Sequence, residues 1–214
     1  MTLRQHLTEM MTTRPAVYRA LVDELAARLG GTALEHALKP GDTLPPFVLP
    51  DARGQLVFSG DLLARGPLVV IFFRGDWCPF CKATLTALNQ SIAAIRAEGA
   101  ELVALTLDTG DHAVSDWRGL GLDFPVLSDA DGGTALQFGA IYRVPDPLRA
   151  FFEAHGVDLA MRHGDPAWCL PIPATFVMDR RGIVRHVHAS GDIADRMEPE
   201  EILAKLREIA AEDG

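Results

Sequence analysis

The stretch Leu68-Val-Val-Ile-Phe-Phe-Arg-Gly-Asp-Trp-Cys-Pro-Phe-Cys-Lys82 decides the fold. Its first six residues form a continuous apolar run, rich in β-branched and aromatic side chains, which is typical of a strand buried on both faces. Residues 79–97 follow with apolar residues at helical spacing, and a glycine at 99 ends that pattern. A second apolar strand is predicted over 101–107. The order strand, helix, strand predicts parallel pairing through a right-handed crossover.

The same alternation continues toward the C-terminus. The pattern predicts helices over 111–120 and 132–138, a short strand over 124–127, and a final helix after residue 198. Between them, strands over 174–178 and 183–188 flank the turn Asp179-Arg-Arg-Gly182, which is typical of an antiparallel hairpin. The sequence therefore predicts an α/β fold, with a mixed sheet that has a parallel strand–helix–strand unit and an antiparallel C-terminal hairpin, flanked by helices.

Two further segments stand apart from this sheet. Residues 1–38 are predicted to form an N-terminal helical arm, with helices near 2–11 and 15–29, and residues 39–214 to form one domain. The arm has two open placements, either against its own domain or across a dimer. Residues 139–173 contain one predicted helix and many turn residues. We interpret them as an insertion over the sheet that shapes a substrate surface.

Composition excludes several classes of protein. With 214 residues, 48% of them hydrophobic and 23% charged, the chain has the composition of a globular domain. Its 20 basic and 29 acidic residues give a formal charge of −9, which argues against nucleic acid as a partner. The apolar run at 68–73 is far shorter than the roughly 20 residues that span a bilayer, so no membrane association is expected. Charged residues near the N-terminus do not fit a secretory signal, and we expect a cytosolic location.

The chemistry is carried by Cys78 and Cys81, a CxxC at the junction of strand and helix. Free amides and the helix dipole at a helix N-terminus stabilise a thiolate, the form that attacks disulfides and peroxides. Pro79 presets a helical φ for the first turn, and the junction is expected to expose at least the first sulfur. A structural zinc site needs four ligands. The sequence offers no second CxxC, so we predict no metal and no other cofactor.

Three further residues bear on the site, and two of them leave alternatives open. Arg74 is either a contact for an anion or peroxide, or a solvated loop residue. Trp77 is expected to pack over the cysteine pair as an apolar lid. Cys169 is either a second resolving thiol or a small, largely apolar side chain beside Trp168.

Four motifs resemble the peroxiredoxin-like group of the alkyl hydroperoxide reductase/thiol-specific antioxidant family, in the thioredoxin superfamily. They are GDTLPPFVLP at 41–50, FFRGDWCPFC at 72–81, FPVLSD at 124–129 and LPIPATFVMD at 170–179, and the resemblance covers about residues 40–208. It implies a thioredoxin-like fold. It also places Pro173, as a cis-proline candidate, and Thr175 beside the active site.

The family's Pro-xxx-Thr-xx-Cys motif overlays imperfectly. Its peroxidatic cysteine falls on Cys81, but its threonine falls on Cys78 and its proline on Arg74. The family's activating arginine, which lies elsewhere in the chain, falls on Pro173. The resemblance thus implies that Cys81 attacks first, whereas position at the helix N-terminus favours Cys78.

Three functions follow as hypotheses. The first is an antioxidant oxidoreductase that reduces hydroperoxides through a Cys78/Cys81 disulfide, recharged by a thioredoxin- or glutaredoxin-type donor. The second is thiol–disulfide exchange on small disulfides or proteins, and the third is a redox sensor or binding module. The family resemblance also suggests a homodimer.

Overall fold

A five-stranded mixed sheet organises the chain in the computed structural model, which describes residues 1–31, 33–109 and 120–212. The strands are β1 (Val48–Pro50), β2 (Leu56–Phe58), β3 (Leu68–Phe72), β4 (Glu101–Thr106), β5 (Val126–Ser128), β6 (Ile141–Arg143), β7 (Cys169–Pro171), β8 (Ala174–Met178) and β9 (Val184–Ala189). The main sheet has the order β5-β4-β3-β8-β9. Strands β3, β4 and β5 are parallel, while β8 and β9 are antiparallel to their neighbours. The predicted α/β fold with a parallel unit and an antiparallel C-terminal hairpin is confirmed.

Eight helices surround the sheet in the described ranges. They are α1 (Leu3–Thr12), α2 (Ala16–Gly31), α3 (Ser59–Leu63), α4 (Pro79–Ala97), α5 (Gly133–Gln137), α6 (Asp146–Ala154), α7 (Leu159–His163) and α8 (Pro199–Glu212). The strand at 68–73 and the helix at 79–97 lie where the sequence predicts them, because their burial patterns are strong. The helix predicted over 111–120 falls mostly on residues outside the described ranges.

The sheet separates two hydrophobic clusters. One, here called the cysteine-side cluster, joins Val69, Ile71 and Val177 of the sheet to residues of α1, α2, α4, α6 and α8, and it contains both Cys78 and Cys81. The other, here called the opposite cluster, joins the alternate strand residues Val70, Phe72 and Phe176 to Phe138, which follows α5. Successive side chains of a strand point to opposite faces, so β3 and β8 each contribute side chains to both clusters.

The N-terminal arm packs on its own chain. Leu3 and Leu7 of α1 are buried in the cysteine-side cluster, as are Tyr18 and Val22 of α2. The Glu198 carboxylate, just before α8, accepts hydrogen bonds from the backbone N–H groups of the first turn of α1 at 2.9 and 2.8 Å. An acidic group at a helix N-terminus satisfies free amides and favours the dipole. Within this chain the arm therefore packs against its own domain, which is the first of the two placements considered for it.

The insertion at 139–173 differs from its prediction. It contains two helices, α6 and α7, and its ends pair with each other as the ribbon β6–β7. The second helix was missed because α7 has only five residues, too few to display a helical repeat. No helix in the described part of the chain has both the length and the apolar character needed to cross a bilayer.

Candidate active site

Cys78 is the N-cap residue of α4, and Pro79 takes the first helical position, as predicted. Both cysteines are reduced and buried, with Cys78 0% and Cys81 1% exposed. The expectation that the corner exposes the first sulfur was therefore wrong. The arm and the insertion cover the corner, and neither belongs to the strand–helix unit on which that expectation was based.

Arg74 is the charged partner of Cys78. Its guanidinium is buried, and Nη2 lies 3.4 Å from both Cys78 Sγ and the hydroxyl oxygen of Tyr18. Its Nε is buried with no hydrogen-bond partner in the described chain. Of the two interpretations of Arg74, contact with an anion is thus the one that the structure supports, and a solvated loop position is excluded.

The two thiols differ in acidity. Burial alone raises the pKa of Cys78, but a hydrogen bond from the Cys81 thiol and the positive charge of Arg74 outweigh it, so the pKa lies well below that of a free thiol. Burial raises the pKa of Cys81, and the adjacent Cys78 thiolate raises it further. The first cysteine is therefore the stronger acid, and its thiolate is the more available nucleophile at neutral pH.

Trp77 contacts the arginine that pairs with Cys78. Its ring stacks under the Arg74 guanidinium at 5.1 Å and meets the Phe152 ring edge-on, also at 5.1 Å. The indole thus joins the cysteine loop to α6 of the insertion, and its role as a lid over the cysteine pair stays a prediction.

A second buried arginine, Arg196, lies in the segment that precedes α8. Its Nη1 donates to the carbonyl oxygens of Asp192 and Asp195 at 3.1 and 2.6 Å, and its Nη2 has no partner in the described chain. Its charge lowers the pKa of Cys81 against the larger effect of burial. The sequence patterns gave no indication that Arg196 lies beside the cysteines. No local spacing signals it, because more than 100 residues separate Arg196 from Cys81.

Two tyrosines were also missed. Tyr18 comes from the arm and Tyr142 from the insertion, and both are buried beside Arg74. Burial raises the pKa of Tyr142, although Arg74 opposes this effect. The Tyr142 phenol thus remains neutral at pH 7 and leaves the positive charge of Arg74 to the thiolate.

Pro173 and Thr175 lie near the site without contacting sulfur. Pro173 and Arg74 line the same small void under the arm, and Thr175 in β8 stands opposite Ile71 of β3. The Ile172–Pro173 peptide bond is trans, so the cis expectation was wrong. The trans bond is favoured by about 0.5–1 kcal/mol, and here the chain runs from the β6–β7 ribbon straight into β8.

Cys169 lies away from the other two thiols. It starts β7 and packs with the opposite cluster, while Cys78 and Cys81 lie in the cysteine-side cluster. Burial, and then the negative charge of Asp165, raise its pKa. Of its two interpretations, the small side chain near Trp168 fits this position, and a resolving thiol does not.

Helix α7 holds the cysteine loop from the insertion side. The Arg162 guanidinium forms an ion pair with Asp76, and the Arg162 carbonyl oxygen accepts from the backbone N–H and hydroxyl of Thr109 at 3.0 Å each. Burial, and then the charge of Arg162, lower the pKa of His163 to about 4, so its ring is neutral at pH 7. Within the described residues, no three His, Cys, Asp or Glu side chains group as metal ligands.

Curated relatives carry thiol–disulfide names. The chain is 31% identical over 194 residues to the thiol:disulfide interchange protein DsbE of Escherichia coli K12, covering 87% of this chain and 85% of the relative. It is 30% identical over 164 residues to the thiol-disulfide oxidoreductase ResA of Bacillus subtilis, covering 76% and 74%.

Solved structures show a peroxiredoxin fold. The peroxidoxin BcpB of Mycobacterium tuberculosis superposes with a TM-score of 0.63 at 26% identity, over 80% of this chain and 98% of that one. Peroxiredoxin Q of Xanthomonas campestris gives a TM-score of 0.60 at 19% identity, over 81% and 97%, a likeness of fold. The AhpC/TSA family model matches residues 40–187, the segment that holds the sheet and the cysteine pair. This chain belongs to the AhpC/TSA family and is an oxidoreductase.

Proposed function

We propose that this protein reduces small hydroperoxides, with Cys78 as the attacking thiolate and Cys81 as the resolving thiol. The observation that carries the proposal is the contact between Arg74 Nη2 and Cys78 Sγ at 3.4 Å, inside a buried site. It keeps the negative charge on the first sulfur and leaves the second protonated.

The cycle has three balanced steps. The Cys78 thiolate attacks one peroxide oxygen, the O–O bond breaks, and the departing alkoxide takes a proton to leave as an alcohol, while the sulfur becomes a sulfenic acid. The Cys81 sulfur then attacks the sulfenic sulfur, the S–S bond forms, and hydroxide leaves with the Cys81 proton as water. A dithiol donor finally reduces the disulfide and is itself oxidised.

Arg74 supplies a guanidinium, which the aligned family motif lacks here because Pro173 stands at the position of its activating arginine. The negative charge that develops on the departing oxygen needs a donor within hydrogen-bond distance. The buried Nε of Arg74 has a free N–H next to the thiolate. Arg74 therefore supports a peroxide step even though Pro173 occupies the position of the family's activating arginine.

The burial of Cys78 favours a small oxidant over a protein disulfide. Because Cys78 is wholly covered, any oxidant reaches the sulfur only after side chains of the site move, and a small molecule needs a smaller opening than a protein disulfide does. Oxidation removes the thiolate charge and with it the hydrogen bond from Arg74. We propose that this change lets a thioredoxin- or glutaredoxin-type donor reach the disulfide.

Thiol–disulfide exchange is the second candidate. It is favoured by a CxxC whose first cysteine is the acidic one, which is the arrangement that exchange requires. The names of the DsbE and ResA relatives point the same way. In this case the Cys78 thiolate attacks a disulfide sulfur, a mixed disulfide forms, and Cys81 displaces the second thiol.

Stopped-flow kinetics separates the candidates. We expect hydrogen peroxide to oxidise the reduced protein at a second-order rate far above that of free cysteine. The rate should disappear in Cys78→Ser, and Cys81→Ser should stop at the sulfenic acid. Slow peroxide oxidation together with rapid reduction of a model disulfide would favour exchange instead. If neither reaction is fast and the oligomeric state changes on oxidation, the result would favour a redox sensor.

A further inference from the structure

A cleft of about 310 Å³ lies beside the cysteine pair, between the N-terminal arm and the insertion. Arg14, Pro15 and Tyr18 form the arm side, and Arg74 and Trp77 form part of its floor. Because Cys78 is directly bonded to Trp77 and contacts Arg74, the cleft lies against the two residues that flank its sulfur. The volume suits a small molecule.

The insertion side of the cleft is aromatic. Phe151 and Phe152 of α6 line it, and their rings lie 5.2 Å from Tyr18 and 5.1 Å from Trp77. His155 stacks on Phe151 at 4.0 Å. Such walls bind the apolar or aromatic body of a ligand, because stacked and edge-on ring contacts add to the burial of apolar surface.

The charge of the cleft is opposite to that of the chain. The protein carries a formal charge of −9, yet the residues that line the cleft include two arginines, Arg14 and Arg74, and no acid. Arg14 lies over the Phe80 ring at 5.5 Å. The Nε atoms of both arginines are buried without a hydrogen-bond partner in the described chain, and Arg74 is 2% exposed. Two buried donors without acceptors favour an anionic ligand.

We propose that the cleft binds small carboxylates that have an aromatic or alkyl body, and that the oxidant of the dithiol belongs to this class. The second half of the proposal rests on the proposed function. Arg14 is the residue that recognises the carboxylate, since Arg74 is already engaged with Cys78 and Tyr18. The body packs against the rings of α6, and the reactive end faces Trp77 and the sulfur beneath it.

Equilibrium binding tests the site without redox chemistry. The reduced wild-type protein, in which Arg74 stays engaged with Cys78, is titrated with 3-phenylpropionate and with 3-phenyl-1-propanol, neither of which is an oxidant, by calorimetry at low salt. The two probes share a body and differ in charge. We expect the carboxylate to bind about tenfold more tightly, as one charge-assisted hydrogen bond allows.

Substitution of Arg14 tests the assignment. In the same background, Arg14→Gln should remove the preference for the carboxylate and leave binding of the alcohol within about twofold. Arg19→Gln removes the same charge from an exposed position of α2, the helix that follows Arg14, and should keep the preference. Circular dichroism and urea unfolding establish that each variant is folded. Equal affinity for the two probes, or an unchanged preference in Arg14→Gln, overturns the proposal.

Kinetics connects the site to the substrate. With the reduced wild-type protein, we expect the rate for the dicarboxylate disulfide 5,5′-dithiobis(2-nitrobenzoate), relative to neutral 4,4′-dithiodipyridine, to exceed the same ratio for free cysteine. Arg14→Gln should lower that ratio several-fold. A ratio equal to that of free cysteine overturns the assignment of substrate class. Preferential binding of 3-phenylpropionate with no rapid oxidation by peroxides or disulfides upholds the site and overturns the proposed function.

Discussion

Arg74 Nη2 lies 3.4 Å from Cys78 Sγ, and the same nitrogen lies 3.4 Å from the Tyr18 hydroxyl oxygen. One buried guanidinium thus links the reactive sulfur to a helix of the N-terminal arm. The negative charge of the thiolate in turn helps to raise the pKa of Arg74, against the opposing effect of burial. The arm is therefore part of the site and not an appendage to it.

Removing the charge of Arg74 should slow the first chemical step. In Arg74→Met the Cys78 thiolate loses its cation and a charge-assisted hydrogen bond, which raises the pKa of Cys78, and we expect peroxide oxidation to slow by about tenfold, the effect of losing one such bond. Peroxide oxidation followed by stopped flow measures the loss. Lys82→Met, which removes an exposed cation in the first turn of α4, should change the rate by less than about twofold. Equal rates in Arg74→Met and wild type would contradict the role given to this arginine.

The pH dependence of alkylation should distinguish the two thiols. The pKa of Cys78 is lowered, so its thiolate persists as the pH falls below the ordinary thiol range. In the Cys81→Ser/Cys169→Ser variant, we expect the rate with iodoacetamide to fall far less between pH 9 and pH 6 than the rate of a free thiol does. A free thiol loses about two hundredfold over that interval. In Cys78→Ser/Cys169→Ser, burial keeps the pKa of Cys81 raised, so its rate should fall at least as steeply as that of a free thiol.

Local patterns in the sequence predicted the parts of the fold that rest on strong periodicity. The buried strand at 68–73 and the helix at 79–97 have uninterrupted signals, and the CxxC lies between them, so its position followed directly. The burial of Cys78 did not, because its cover comes from Tyr18 and from α6, which are distant in sequence. Contacts between residues so far apart in sequence produce no periodic pattern, so a single sequence does not predict them.

The helix of the arm should tune the active site. Tyr18→Phe removes the hydroxyl next to Arg74 and keeps the ring that packs against Phe151. At 3.4 Å the hydrogen bond is weak, and we expect peroxide oxidation to slow by about two- to threefold. Val17→Ala, at a neighbouring residue that is 58% exposed, serves as the control and should leave the rate unchanged. A rate in Tyr18→Phe that matches this control would remove the arm from the chemistry.

The third cysteine should be dispensable. Cys169 packs on the opposite side of the sheet from the dithiol, and burial raises its pKa, so it is a poor nucleophile at neutral pH. Cys169→Ser should therefore keep the peroxide rate and the disulfide yield within about twofold of wild type, as measured by stopped flow and thiol titration. Loss of the disulfide, or accumulation of sulfenic acid, would instead place Cys169 in the cycle.

Glycine at position 75 holds the cysteine loop in its observed shape. Gly75 has φ of 138°, and a Cβ added there would lie 2.6 Å from both Asp108 Oδ2 and Trp77 Nε1. Because both the backbone angle and the contacts are unfavourable, we expect Gly75→Ala to lower the free energy of unfolding by about 1–3 kcal/mol. The displaced indole should change the tryptophan fluorescence of the native state.

Gly30→Ala, where nothing lies within 4 Å of the added Cβ, provides the matched control. It lies inside α2 and should leave stability unchanged or raise it by up to about 1 kcal/mol. Urea unfolding of the two variants measures the difference, and equal stability would show that the loop tolerates a side chain at this position.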